Sequence, residues 1–337
     1  MPKPLALSGM MFLVLGLLSG CSIPSFLITP VSSSPELKET VVADGTRKHK
    51  IAIIPVEGML MNTRMGSGGI LGAEENKVSL FKQQLDAAAA DDRVEAVILR
   101  INSPGGTVAA SDLMYELVRD FKQKTGKPVV ATCQDVCASG GYYIASAADE
   151  IHVLPTSVVG SIGVIFETFD ISPLLDKIGV RITPLQSGRY KDLGSPFNGL
   201  SDDEREIMQG MVDEFYARFV GVVRDSRQVR DEEIAFDGRV FTGQQAYEQN
   251  LVDAVCQLPE TIARVKGMIG ERDARVVMYR RPYGYTGSIY ARSGDLSPRA
   301  SESAAGADDP SAWVSRLPMV NQVSQALEPG FYYLWMP

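Results

Sequence analysis

The amino-acid sequence predicts an α/β domain built on a largely parallel sheet. Glu95–Asn102 (Glu-Ala-Val-Ile-Leu-Arg-Ile-Asn) is a nearly unbroken apolar run, as expected of a strand covered on both faces. Runs of this kind alternate along the chain with segments of helical periodicity, and the connections between them are short. Lys50–Val56 is the first strand of the series, Pro128–Thr132 the third, and Arg275–Tyr279 a late one. Further strands are predicted near Glu150–Leu154, Gly163–Phe166 and Arg181–Gln186.

The helices between them follow from spacing. Ser79–Asp91 is rich in Ala and Leu. A second helix follows the turn Ser103-Pro104-Gly105-Gly106 and sets Leu113, Leu117, Val118 and Phe121 on one face. Ser201-Asp202-Asp203-Glu204 is a capping-box sequence that opens a long helix. Met208, Val212, Phe215, Phe219 and Val222 recur along that helix at helical spacing, a stripe suited to a core or a subunit interface.

The 337 residues suffice for one well-buried core with extensions. The first twenty stand apart from it. Lys3 precedes an apolar stretch, Leu5–Leu18, too short to span a membrane comfortably. Leu18-Ser19-Gly20-Cys21 resembles a bacterial lipobox, in which the cysteine becomes the lipidated first residue. Residues 1–20 are therefore expected to be a lipoprotein signal peptide. Lipidated Cys21 would anchor the protein to a membrane of the cell envelope, outside the cytoplasm, and Ser22 leans towards the outer membrane.

Residues 21–49, rich in Ser, Pro and Thr, read as a tether, and 50–282 as the folded domain. Residues 283–312 read as a flexible linker and 313–337 as an apolar tail ending in Phe331-Tyr332-Tyr333-Leu334-Trp335-Met336-Pro337. Such an aromatic end should dock, in the substrate groove or against a neighbouring subunit. The net charge of −8 argues against a nucleic-acid partner. No second pair of cysteines or histidines has metal-ligand spacing, so no metal or other cofactor is expected. Cys133 and Cys137 flank a turn, where a disulfide and two buried thiols are both open.

Two residues carry the chemistry. Ser139 lies in Cys137-Ala138-Ser139-Gly140-Gly141-Tyr142-Tyr143, between a strand and a short helix. That placement suits a nucleophile facing backbone N–H groups at a helix start. It suits equally a serine N-cap with glycines for close packing. The chain has only two histidines, His49 and His152, neither in a loop suited to catalysis. Lys191, in Ser187-Gly188-Arg189-Tyr190-Lys191-Asp192, is the alternative base. A lysine base must be neutral, which near pH 7–8 requires a drop of about 3 units from about 10.4, or roughly 4 kcal/mol, such as burial can supply. Gly106 and Gly140 are candidate oxyanion-hole donors, each donor worth roughly 3 kcal/mol. Ser161, in Val159-Gly160-Ser161-Ile162-Gly163, is a candidate to orient the lysine amine.

Taken in order, the tracts Arg100–Gly106, Ala138–Ala145, Gly160–Val164, Gly188–Asp192 and Gly238–Ala246, with Leu251-Val252-Asp253 following, resemble the signal peptide peptidase A (protease IV) family. The resemblance covers about 50–280. It implies the crotonase/Clp protease-like fold of repeated ββα units and a Ser-Lys dyad matching Ser139 and Lys191. It also implies oxyanion donors near Gly106 and Gly140, and a lysine-orienting serine at Ser161. Short members form ring-like homo-oligomers in which one site can take its serine and lysine from adjacent subunits. The implied substrates are cleaved signal peptides and other short membrane-associated peptides. Two alternatives remain at this point: a crotonase-like acyl-CoA hydratase or isomerase, which export from the cytoplasm disfavours, and a non-catalytic peptide-binding scaffold.

Overall fold

The computed structural model describes residues 36–62, 75–281 and 330–335. The segments expected to be a signal peptide (1–20) and a linker (283–312), with Cys21 and most of the expected apolar tail, lie outside the described residues. The chain opens with β1 (Lys38–Ala43) and β2 (Thr46–Glu57), then α1 (Lys77–Ala90), β3 (Val94–Ser103), β4 (Gly105–Thr107) and α2 (Val108–Thr125). Next come β5 (Val129–Ala138), α3 (Gly140–Ala145), β6 (Glu150–Val153), β7 (Val158–Gly160), β8 (Ile165–Glu167) and α4 (Ser172–Lys177). The long α5 (Asp202–Ser226) is followed by α6 (Glu232–Ala235), β9 (Val240–Thr242), α7 (Gly243–Glu248), β10 (Ala254–Val255), α8 (Leu258–Met268) and β11 (Ala274–Arg280). A final strand, β12, spans Gly330–Leu334.

The main sheet runs β1-β11-β2-β3-β5-β6-β10, with β7 continuing the ladder from β5 and pairing β9. It is parallel from β11 to β10; β1 and β9 join antiparallel. The unbroken apolar runs follow from burial on both faces. Ala52, Ile54, Val97 and Leu99 pack with Phe81, Leu85, Met114 and Val118 on one side. Ile51, Ile53, Ala96 and Ile98 pack with Leu258, Ile262 and Val265 of α8 on the other. A separate small sheet has the order β4-β12-β8.

Several sequence expectations are corrected. The tether expected over 21–49 ends earlier, because Lys38–Ala43 is already an edge strand paired to β11 and β2 starts at Thr46. Leu113 is 45% exposed, and the buried face of α2 is instead Ala110, Ser111, Met114, Tyr115, Val118 and Phe121. Arg181–Gln186 is not a strand: it pairs with no other strand, and the whole segment is exposed, Leu185 almost fully. The third strand does not stop near Thr132 but continues to Ala138. Its register jumps between Cys133↔Ile101 and Cys137↔Ser103, a bulge of the strand. Asn102 holds that bulge, accepting from Val136 N at 3.1 Å and donating to Asp135 at 3.0 Å. Cys133, Cys137 and Cys256 are all buried free thiols.

The capping box at Ser201 forms as the sequence predicts, with Glu204 returning a hydrogen bond to the Ser201 N–H. Only the C-terminal half of α5 reaches the core, through Phe219, Val220 and Val223. Among the described residues no helix is long and apolar enough to cross a membrane.

Candidate active site

The bulge in β5 determines how the strand delivers Ser139. Immediately after Ala138 the backbone turns sharply, with φ 51° and ψ −117° at Ser139, and α3 starts at Gly140. A non-glycine residue at positive φ costs on the order of 1–3 kcal/mol, and such strain collects at functional sites. The turn is held at both ends: Ser139 N donates to Gly160 O at 2.7 Å, and Tyr143 N donates to Ser139 O at 2.8 Å.

The side chain is left unused by this scaffold. Ser139 is 1% exposed, makes no side-chain capping bond, and its Oγ has no hydrogen-bond partner. A serine kept only as an N-cap would donate or accept locally; this one is buried, strained and free. Neither histidine is engaged with it. His49 Nδ1 meets Glu95 at 2.5 Å, and His152 bonds Thr261 at 3.1 Å and Glu150 at 2.8 Å.

Backbone surrounds the serine because glycines permit it. A Cβ on Gly140 would lie 2.3 Å from Ser111 Oγ and 3.2 Å from Gly105 Cα. A Cβ on Gly105, at φ +104°, would lie 2.8 Å from Gly140 N and 1.9 Å from Tyr333 O. Gly105 is thus the glycine of the Pro-Gly-Gly turn that abuts Gly140. Gly106 faces the Leu60 carbonyl, 1.9 Å from where its Cβ would be, and pairs across the ladder with Tyr333.

Ser161 lies at the adjoining strand end. β7 pairs with β5 through Ala138↔Gly160, so Ser161 begins where Ser139 does. It too has φ 51°, and its N–H donates to Arg239 O at 2.7 Å. Ser139, Ser161 and Asn250 are the non-glycine residues with positive φ among the described residues. The structure therefore brings Ser139, Ser161, Gly105 and Gly140 together.

Lys191 is not hydrogen-bonded to Ser139 within this chain. It sits exposed in the turn after Gly188, to whose carbonyl its N–H donates at 3.1 Å. The surrounding segment is unusually apolar for a surface: Leu174, Ile178, Ile182, Leu185, Tyr190 and Phe197 are all exposed.

Sequence reasoning missed an aromatic group beside the serine. Tyr143 lies 5.1 Å from Tyr115 and 5.0 Å from Phe219 by ring centroids. Its hydroxyl donates to Asp112 at 2.7 Å, and Arg218 bonds the same carboxylate oxygen. Burial, with this donation to Asp112, pushes the Tyr143 phenol far above its ordinary value. Burial, with the Cys133 thiol beside it, likewise raises the Cys137 thiol. These groups are neutral packing elements under physiological conditions. Among the described residues no group of His, Cys, Asp and Glu could hold a metal ion.

A parallel-sheet core ending in a strained serine among glycines is the architecture of a Clp-like serine peptidase, and comparison with known proteins agrees. The Clp protease family model matches residues 65–159, and the model of peptidase family S49 matches residues 121–269. The chain is 33% identical over 250 residues to "Putative signal peptide peptidase SppA" of Enterococcus faecium, covering 73% of this chain and 72% of that one. It is 31% identical over 233 residues to "Protease 4" of Haemophilus influenzae, covering 68% of this chain and 36% of that one. It is 38% identical over 178 residues to "Serine protease SPPA, chloroplastic" of Arabidopsis thaliana, covering 52% of this chain and 26% of that one. The chain belongs to peptidase family S49, and is a serine peptidase of that family.

Proposed function

We propose that the protein is an endopeptidase in which Ser139 is the nucleophile and Lys191 of a neighbouring copy is its base. The observation that carries this is the Ser139 hydroxyl: buried, strained in its backbone, and hydrogen-bonded to nothing. A scaffold that holds a hydroxyl so at a local cost of on the order of 1–3 kcal/mol holds it for a reacting partner. Exposed Lys191, set within an apolar surface, fits a base delivered to another subunit. Covering that surface would remove water from the amine and favour its neutral form.

In the reaction, Lys191 takes the Ser139 proton as Oγ attacks the peptide carbonyl. Backbone N–H groups at Gly106 of the Pro-Gly-Gly turn and at Gly140 hold the tetrahedral oxyanion. Lys191 returns the proton to the leaving amine, and water then resolves the acyl-enzyme with Lys191 again as base. Ser161, adjoining Ser139, orients the amine. The substrates are cleaved signal peptides or other short membrane-associated peptides. This rests on the name of the Enterococcus relative and on the envelope anchoring expected from Cys21. Hydrolysis of an internally quenched signal-peptide sequence tests the assignment. Ser139→Ala and Lys191→Ala should each lower kcat by at least about 10³-fold. Full activity in either variant would refute the dyad.

A further inference from the structure

β5 spends more residues than the strand beside it. Two residue steps of β3, Ile101 to Ser103, are matched by four steps of β5, Cys133 to Cys137. The excess is taken up in the bulge, and β5 changes neighbour across it. Before the bulge, Val130–Cys133 pairs with β6; after it, Val136–Ala138 pairs with β7. At about 3.3 Å of rise per residue, a β5 without the excess would carry Ser139 about 7 Å farther along, past the glycine turn that follows β3. The bulge therefore draws the start of α3 back to the level of Gly105, against which Gly140 packs.

Two polar side chains, one on each flank, hold this excess. On the β3 side, Asn102 accepts from Val136 N at 3.1 Å and donates to Asp135 Oδ2 at 3.0 Å. A backbone N–H can only donate, so the amide oxygen of Asn102 faces Val136 and its nitrogen faces Asp135. On the other flank, Ser157 is fully buried in the turn between β6 and β7. Its hydroxyl donates to Gln134 O, with Cys133 O also within reach at 3.2 Å, and accepts from Leu154 N at 3.0 Å. Ser157 immediately precedes β7, the strand that ends at Gly160 and leads into Ser161. One hydroxyl thus ties the bulge to the strand that delivers the second strained serine. A bulge beside an active site commonly re-aims a side chain.

We propose that Asn102 and Ser157 are positioning residues for the reaction: from opposite flanks they clamp the bulge of β5, and the clamp sets Ser139 level with the glycine turn on one side and with Ser161 on the other. Neither touches the reacting atoms. Asn102 fixes how far Ser139 reaches along the sheet, and Ser157 fixes the strand of Ser139 against the strand of Ser161. The proposal rests on Ser139 being the nucleophile. Loosening the clamp should therefore lower kcat and leave KM nearly unchanged.

A reciprocal exchange across the Asn102–Asp135 pair tests this in the full-length protein, with hydrolysis of the quenched peptide as the readout and circular dichroism to measure the folded fraction. Asn102→Asp sets two carboxylates against each other and should lower kcat per folded chain about 10²-fold, the usual cost of misplacing a reacting group by about 1 Å, with KM within about 2-fold of the parent value. Asp135→Asn keeps an acceptor for the Asn102 amide and should stay within about 3-fold of the parent kcat. The double variant Asn102→Asp/Asp135→Asn restores both bonds with the partners exchanged: the carboxylate at 102 accepts from Val136 N and from the amide at 135. Its kcat should return to within about 3-fold of the parent value. Ser157→Ala should lower kcat at least about 10-fold, again with KM nearly unchanged. A double variant as slow as Asn102→Asp, or losses in kcat that vanish once corrected for the folded fraction, would overturn the proposal. Failure of the underlying assignment shows separately, as hydrolysis surviving in Ser139→Ala.

Discussion

Replacing Gly105 by alanine isolates the close approach that holds the site together. The new methyl would stand 1.9 Å from Tyr333 O and 2.8 Å from Gly140 N, both backbone atoms that no rotamer change can move. Residue 105 also has φ +104°, where a Cβ is strained before any neighbour is counted. The strain costs about 1 kcal/mol, and forcing two backbone segments apart adds about 1–3 kcal/mol. Gly126→Ala is the control, because Gly126 has φ +67° but nothing within 4 Å of its Cβ position. In guanidinium unfolding followed by circular dichroism, Gly105→Ala should lose about 2–4 kcal/mol and Gly126→Ala about 1 kcal/mol. The clash should also expel β12, shifting the emission of Trp335, one of only two tryptophans in the chain, towards the red. If Gly105→Ala loses no more than Gly126→Ala and the emission is unchanged, the packing of Tyr333 against Gly105 and Gly140 is wrong.

Ser139→Ala should be inactive yet as stable as the parent protein or up to about 1 kcal/mol more stable, because it deletes a buried hydroxyl without a partner; thermal unfolding checks this, and a clear loss of stability would contradict the orphaned hydroxyl. Asp91 governs an acid-sensitive part of the fold: burial opposes its ionisation, but hydrogen bonds from Arg93 and Lys50 overcome that and hold its carboxyl well below the usual range. Its folded pKa is thus below its unfolded one, so its stabilisation is complete above about pH 4–5 and is lost as pH falls through the folded value. Asp91→Asn should cost about 1–3 kcal/mol at pH 7, and the gap between the two unfolding curves should narrow progressively as pH falls below about 4; a constant difference down to about pH 2 would refute the linkage. Lys191→Arg should leave oligomer formation intact but remove peptidase activity, since a guanidinium cannot be deprotonated to act as a base; size-exclusion chromatography with the quenched-peptide assay separates the two.

What the sequence made legible was whatever depends on local pattern. Val94–Ser103 carries the apolar run Ala96–Leu99 because helices cover both its faces, and that run announces it. The Ser201–Glu204 box is a contact within four residues, and it forms as written. β1 was hidden because Lys-Glu-Thr-Val-Val-Ala is a short, largely exposed edge strand with no periodic pattern, and its partner, β11, arrives more than two hundred residues later. Pro128–Thr132 is only the first half of β5; the rest follows a bulge that exists because Asn102 of another strand binds it. Arg181–Gln186 has the composition of a strand but lies exposed, without the burial that such a run would need to form one.

The site divides in the same way. Ser139 and Ser161 sit in tracts that can be read directly, and their strained backbones adjoin through the β5–β7 ladder. The contact of Gly105 with Gly140 could not be read, because it depends on how β4 meets the start of α3. Tyr333 of β12 stacks on Tyr143 and lies beside Phe219, contacts between segments that no spacing rule connects. Lys191 is the extreme case: its partner is proposed to lie on another copy, and distance along one chain carries no information about it.

Complementation between two inactive chains therefore tests the central proposal most directly. Ser139→Ala and Lys191→Ala chains are co-produced in equal amounts, co-assembled oligomers are isolated through distinct tags, and hydrolysis of the quenched peptide is measured. If each site takes its serine from one copy and its lysine from the next, about one quarter of sites in random mixtures regain both groups, and activity should return to about that fraction of the parent value. Mixed oligomers as inactive as either variant alone would contradict a site shared between copies.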